Sequence, residues 1–239
     1  MDRSPSFLAA EAGDLASLER MATEGALEPN EALFGAARAG HACVMVWCVE
    51  KGARRFDHAM RVAAEGGRLE TMAWCAEKGA TDFDSAMAWA AEADQIGAMA
   101  WCAEKGATGF DRAMASAAEA GRIRAMAWCA GKGATNFGEA IDGAAKTGQT
   151  EAMRWCAAAG RFAREDRAFT TALITAIDHG SNEAAKLCLS WGGDINGPGI
   201  DETDDWVKAV RAGEVAVEPQ APPEVYHPHT PLGGFKFYD

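Results

Sequence analysis

Residues 83–109 read FDSAMAWAAEADQIGAMAWCAEKGATG, and the fold follows from how this stretch recurs. Its Trp101-Cys102 pair has copies at Trp47-Cys48, Trp74-Cys75, Trp128-Cys129 and Trp155-Cys156, each 27 residues from the next. Repetition at a fixed period of this size marks an array of small stacked units. Met21 stands at the Cys position one period before Cys48, and Cys188 follows Cys156 by 32 residues. Seven units are therefore visible, the first and last of them atypical.

Within the quoted unit the spacing predicts two short helices, about Ser85 to Ala93 and Ile96 to Lys105. The residue ahead of the first helix is Asn30, Asp57, Asp84, Asp111, Gly138 or Thr170 in successive units. All six are types favoured at a helix N-cap. The turn between helices carries Gly40, Gly67, Gly121, Gly148 and Gly180, with Asp94 as the exception. The second helix stops at Gly25, Gly52, Gly79, Gly106, Gly133, Gly160 or Gly192. Glycine suits both places because a helix end adopts the left-handed conformation cheaply there. In the first unit, Ser4-Pro5 reads as N-cap and first helical residue of a shortened helix over 4–12. Arg20 replaces Trp there, as expected for a capping unit with one face in water.

One face of the first helix repeats. It carries Ala32, Ala59, Ala86, Ala113, Ala140 and Ala172, each followed by a large apolar residue: Leu33, Met60, Met87, Met114, Ile141 and Leu173. Ala36, Ala63, Ala90, Ala117, Ala144 and Ala176 follow on the same face. Small residues at i and i+4 let neighbouring helices approach closely, near the low end of ~8–10 Å. The Trp ladder, with Met45, Met72, Met99, Met126 and Met153 beside it, reads as packing that fills the space these alanines leave. Lys51, Lys78, Lys105 and Lys132 read as a solvated row at second-helix ends, where cations suit the helix dipole. Glu65, Glu92 and Glu119 read as a second solvated row able to pair across units.

The skeleton of Ala86-Met87, Ala90-Ala91, a turn Gly, a second helix and a Gly-Ala end resembles the ankyrin repeat. The last unit, TALITAIDHGSNEAAKLCLSWGGDIN from Thr171 to Asn196, follows that family almost position by position. The resemblance covers about residues 4–196 and implies an all-α, ankyrin-like αα solenoid. The units depart from the family in length, 27 residues against ~33. The shortfall lies in the link before the next first helix, which normally forms a projecting β-hairpin finger. Units two to five are expected to lack the finger, and only the stretch near Gly160 to Asp166 leaves room for one. Short, Trp/Cys-rich repeats of this kind are similar to those of large DNA viruses and some algae and oomycetes.

The resemblance also implies that the first helices line a concave surface. There a second row varies from unit to unit: Glu31, His58, Ser85, Arg112, Glu139 and Thr171; Phe34, Arg61, Ala88, Ala115, Asp142 and Ile174; Gly35, Val62, Trp89, Ser116, Gly143 and Thr175. Variation opposite a repeating face suits residues freed from packing. A protein partner is expected on this row, with Phe34, His58, Arg61, Trp89, Arg112 and Asp142 as its contacts, since aromatic and Arg residues dominate binding hot spots. A drifting solvated surface accounts for the same variation.

The chain has 239 residues, 23 basic against 35 acidic, a net charge of −12. That balance argues against a nucleic-acid partner, which needs a basic footprint. No run approaches the ~18 apolar residues that cross a bilayer, and the acidic first twenty residues do not read as a signal peptide. Six of the seven cysteines belong to the repeat. Their ~10 Å separation between stacked units exceeds the ~7 Å Cα limit for a disulfide. Reduced thiols in an intracellular, cytoplasmic protein are expected, in the host cytoplasm if the source is viral. No CxxC pair, triad order, catalytic carboxylate pair or phosphate-binding Gly loop stands out, so neither an enzyme nor a metal or other cofactor is expected. His41 and His179 fall at turns, where a local hydrogen-bonding role suits them.

After Asn196 the composition changes, and Gly197-Pro198-Gly199 ends the array. The chain is read as a repeat solenoid over 1–196, with a capping unit over 1–26, and a C-terminal extension over 197–239. Residues 205–213 resemble a first helix that caps the stack, with Trp206 and Val210 inward. The Pro-rich remainder, with His227 and His229 read as tail residues, has no helical period. Its Tyr226, Phe235, Phe237 and Tyr238 are expected to dock, either on the solenoid or in another chain. Docking in another chain supports the alternative that this is a structural subunit of a larger assembly, anchored by its tail.

Overall fold

A computed structural model describes residues 3–160, 162, 166–219 and 222. Among these residues the structure is helical, with no strand. It divides into two compact units, 1–135 and 136–239.

The first unit holds five helix pairs. These are α1 (Pro5–Glu11) with α2 (Leu15–Thr23), α3 (Pro29–Ala39) with α4 (Ala42–Glu50), and α5 (Phe56–Glu65) with α6 (Leu69–Glu77). They continue as α7 (Phe83–Glu92) with α8 (Ile96–Glu104) and α9 (Phe110–Glu119) with α10 (Ile123–Gly131). Each first helix packs on its own second helix and on the first helices before and after it, in chain order. The second unit repeats the scheme with α11 (Phe137–Lys146), α12 (Thr150–Gly160), α13 (Arg167–Asp178) and α14 (Asn182–Ser190), followed by α15 (Asp205–Arg211). The expected finger near Gly160 to Asp166 and the tail aromatics Tyr226, Phe235, Phe237 and Tyr238 lie largely or wholly outside the described residues, as do His227 and His229.

Both Ala rows and the large apolar row of the first helices are fully buried, at 0% exposure from Ala32 to Ala176. Met45, Met72, Met99, Met126 and Met153 form the second helices' share of the core. Each such side chain contributes about 1.5–3 kcal/mol on burial. The five tryptophans are only half-buried, so Met fills the gap over the alanines and Trp does not. Each of Trp74, Trp101, Trp128 and Trp155 instead meets the first aromatic of its own repeat, Phe56, Phe83, Phe110 or Phe137, with ring centroids 5.8–6.0 Å apart. Lys51, Lys78, Lys105 and Lys132 each lie over a Trp ring, 5.4–5.7 Å from its centroid. Those lysines are cation–π partners as well as dipole-matched charges.

The turns obey the glycine pattern, and the exception proves informative. Asp94, the single non-Gly in that series, is the only described non-Gly residue with positive φ, at 58°. The chain direction at the turn therefore outweighs a cost of roughly 1–2 kcal/mol for a side chain in that region. Arg124 makes an ion pair with Asp94 at 3.2 Å.

Gly138 is not an N-cap, since Asn136 caps that helix, and neither are Asn30, Asp57, Asp84, Asp111 and Thr170. The helices start one to three residues earlier, capped by Glu28, Arg55, Asp82, Gly109 and Asp166 respectively. The polar side chains face the next repeat instead. Asn30 Oδ1 accepts from the backbone N–H groups of Arg54 and Arg55 at 2.9 and 3.1 Å. Asp57 Oδ1 accepts from Thr81 and Asp82 at 2.7 and 2.9 Å, and Asp84 Oδ1 from Thr108 and Gly109 at 2.8 and 2.7 Å. Asp111 and Thr170 receive Thr135 N–H and Asp194 N–H in the same way, at 2.7 and 3.0 Å. One side-chain oxygen thus ties each of these short links to the repeat before it.

A second set of bonds runs backwards. His41, Arg68, Arg122 and Ser181, each just ahead of a second helix, bond the carbonyls of Glu11, Arg38, Glu92 and Lys146 at 3.0–3.3 Å. His41 is therefore an inter-repeat contact and not a local one, whereas His179 Nδ1 does contact the Thr175 carbonyl within its own helix at 2.9 Å.

The forward clamp predicts a sharp contrast. Asp84→Ala leaves two link N–H groups without their acceptor and is expected to lower unfolding free energy by about 1.5 kcal/mol in urea titrations. Asp84→Asn keeps the acceptor, as Asn30 does, and should cost well under half of that. Equal losses from both variants would show that the acceptor oxygen is not what matters.

In α15 the inward residue is Val207, at 0% exposure, while Trp206 and Val210 are half-buried. The helix begins at Asp205, where the repeat comparison places it, with Asp204 capping the N–H groups of Trp206 and Val207.

Candidate functional site

The varying row assembles in the first unit, on the exposed edges of α3, α5, α7 and α9. Because the Ala faces bring these helices close together, side chains from consecutive repeats meet. Phe34 of α3 is covered by the His58 ring of α5, stacked at 4.1 Å and 30°. The Arg55 guanidinium lies over the same Phe34 ring at 5.6 Å. His58 also meets Trp89 of α7 edge-on at 5.9 Å. Arg61, one turn along α5, places its guanidinium 5.7 Å from the Trp89 ring centroid. Arg112 of α9 reaches Ser85 of α7, Nη1 to Oγ 3.4 Å.

The row is thus not free of packing. Phe34, Val62, Ser85 and Ala88 are buried. His58, Arg61 and Trp89 are half-buried, and Arg55 and Arg112 are exposed. Four of the six expected contact residues, Phe34, His58, Arg61 and Trp89, form one connected strip, and Arg112 reaches Ser85 on α7, one turn before Trp89. Phe34 supports it from beneath rather than presenting a free ring. Asp142 belongs to the second unit, where Thr175 Oγ1 donates to its Oδ1. Arg55 is the residue that sequence comparison missed, since it precedes the helix as its N-cap and was not counted in the row.

The charges in the strip are all of one sign. Burial pushes the pKa of His58 below its ordinary value, and Arg61 and Arg55 push it further. His58 is therefore neutral near pH 7. Arg61 can only donate, so the 2.9 Å bond between its Nη2 and His58 Nδ1 makes Nδ1 the acceptor. Arg61 Nε is buried with no acceptor. Among the described residues no carboxylate lies within 4.0 Å of the guanidinium of Arg55, Arg61 or Arg112.

Trp89 also borders a cleft of mixed charge. The cleft, of 360 Å³, is lined by Glu65, Trp89, Glu92, Ala93, Ala120 and Arg122. Burial raises the Glu92 pKa, and the neighbouring carboxylates Glu65 and Glu119 raise it further, against the opposing charge of Arg122. Glu65 forms an ion pair across repeats with Arg38 at 3.0 Å. Glu92 instead repels its neighbours along the row, so the acidic row is only partly the paired one that its spacing suggests.

Other candidate chemistry is sparse among the described residues. Cys48, Cys75, Cys102 and Cys129 are buried free thiols, with pKa values pushed up to about 12 by burial. Cys156 and Cys188 are shifted upward for the same reason. Thiols held protonated in this way are poor nucleophiles. Among the described residues no group of three or more His, Cys, Asp or Glu side chains could hold a metal ion. No described helix is long and apolar enough to cross a membrane.

No protein-family model matches the chain, and comparison with curated proteins finds no match.

Proposed function

We propose that the chain is a non-catalytic protein-interaction module, an ankyrin-like helical stack that takes a protein partner on its first-helix row. The observation that carries this reading is the strip of Phe34, His58, Arg61 and Trp89, in which consecutive repeats present aromatic rings and a guanidinium in mutual contact. Such groups lose little freedom on binding because they are already held, and Trp and Arg are the side chains that most often dominate an interface. The buried thiols support an intracellular, cytoplasmic setting, where cysteines stay reduced.

The test is affinity purification from the native source with mass spectrometry, followed by titration of the identified partner. Trp89→Ala and Arg112→Glu should each weaken that partner by about tenfold or more, as hot-spot losses do. A partner that binds both variants as well as it binds the unaltered chain places the interaction elsewhere.

A further inference from the structure

Building on that reading, we infer that the segment received by this row is an acidic peptide stretch, with carboxylates set against Arg55, Arg61 and Arg112 and a side chain resting on Trp89. The argument starts from charge placement. The chain carries a net −12, yet Arg55, Arg61 and Arg112, along the first-helix row, have no carboxylate within ion-pair distance among the described residues. Elsewhere in the same unit Arg3, Arg38 and Arg124 have carboxylates at 3.0–3.5 Å, whereas Arg54, Arg68 and Arg122 bond backbone carbonyls. The strip's arginines differ in having neither kind of partner: they lie on aromatic rings, a His and a Ser hydroxyl, and Arg61 Nε is buried with no acceptor among the described residues.

Packing holds these cations in place. Arg55 is fixed over Phe34, Arg61 between His58 and Trp89, and Arg112 against Ser85. A neutral His58 spends its Nδ1 lone pair on Arg61 and so orients that guanidinium without cancelling its charge. Arginines fixed in this way need little ordering when a carboxylate arrives, and Arg–carboxylate hydrogen bonds are among the stronger polar contacts. Glu65 and Glu92 line the cleft that Trp89 also borders, together with Arg122. Those two carboxylates disfavour an acidic segment in the cleft itself and leave it Arg55, Arg61 and Arg112. A phosphate backbone would meet the same guanidiniums, but it would also meet the surrounding negative field over a much longer path.

The test uses the full chain and a fluorescein-labelled oligopeptide of alternating Glu and Tyr, followed by fluorescence anisotropy at low salt and again near ~0.15 M ionic strength. Saturable binding is expected, weakened about tenfold by Arg61→Glu and comparably by Arg112→Glu, with greater loss at the higher salt. Lys78→Glu makes the same charge change on a second helix and should leave binding nearly unaltered. Arg112 is exposed, so its variant keeps the test valid if Arg61→Glu disturbs folding. Absence of saturable binding overturns the proposal, as does equal weakening by Lys78→Glu. Duplex DNA binding with the same dependence on Arg61 and Arg112 would also overturn it, in favour of a nucleic-acid site. If the native partner depends on Trp89 and Arg112 while the acidic peptide does not bind, this inference fails and the interaction-module reading stands. If the partner ignores the row altogether, the broader reading fails.

Discussion

Gly35→Ala is expected to destabilise the protein by about 3 kcal/mol, at the upper end of overpacking effects. The reason is contact between backbones. A Cβ at Gly35 would lie 2.1 Å from the carbonyl oxygen of Phe7, 2.9 Å from its carbon and 3.0 Å from the amide nitrogen of Glu11. None of these atoms can rotate aside, so α1 must lift off α3. With it would go the buried contacts of Ser6, Phe7 and Ala10 and the hydrogen bond from Glu28 N–H to Ser6 Oγ at 3.1 Å. Alanine favours a helix over glycine by ~1 kcal/mol, which opposes the loss but does not cancel it. Gly97, in α8, provides the control. A Cβ there meets nothing within 4 Å, so Gly97→Ala should stabilise by up to about 1 kcal/mol through propensity alone. Urea titration gives both signs, and hydrogen exchange should show early loss of protection in α1 and α2 of the Gly35→Ala variant. Similar effects from the two substitutions would contradict this account of the capping unit.

The fold was legible because its main signal repeats. A single unit such as 83–109 carries an ambiguous Ala-rich pattern. Seen several times over, the constant Ala-Met-Ala face separates from everything else, and the structure buries that face throughout. The turn glycines were legible for the same reason, down to Asp94 with its positive φ. What escaped is what depends on a partner in another repeat. Asp84 is a favoured N-cap type next to a helix, and nothing local shows that its acceptor serves Thr108 and Gly109. Trp101 looks like core by size, but Met99 fits over the alanines, while Trp101 sits at the rim between Phe83 and Lys105.

The site was partly legible. Variation singled out Phe34, His58, Arg61, Trp89 and Arg112. It could not show that the first four touch one another or that Arg112 reaches Ser85, because that depends on how closely α3, α5, α7 and α9 approach. It also passed over Arg55, whose position ahead of the helix keeps it out of any row counted along the helix face. The charge around Trp89 was visible only after assembly, when Glu65 and Glu92 proved to share a cleft with it and with Arg122 while Arg61 lies over its ring.

The repeat is the central physical claim, and removing one copy tests it. Excising residues 83–109 joins Asp82 to Phe110 and leaves an Asp-Phe junction like the original. Asp57 keeps its bonds to Thr81 and Asp82, and Asp111 keeps Thr135. Excising residues 83–95 alone removes α7 and leaves α8 with no first helix of its own. Stability in such arrays is a sum of unit and neighbour terms. The measurement is therefore circular dichroism with thermal melting on both deletions. The in-phase deletion should retain helicity per residue and melt cooperatively at a lower midpoint, while the out-of-phase deletion should lose most of its cooperative transition. Unfolding of the in-phase chain, or equal survival of both, would mean that 27 residues are not the unit from which this protein is built.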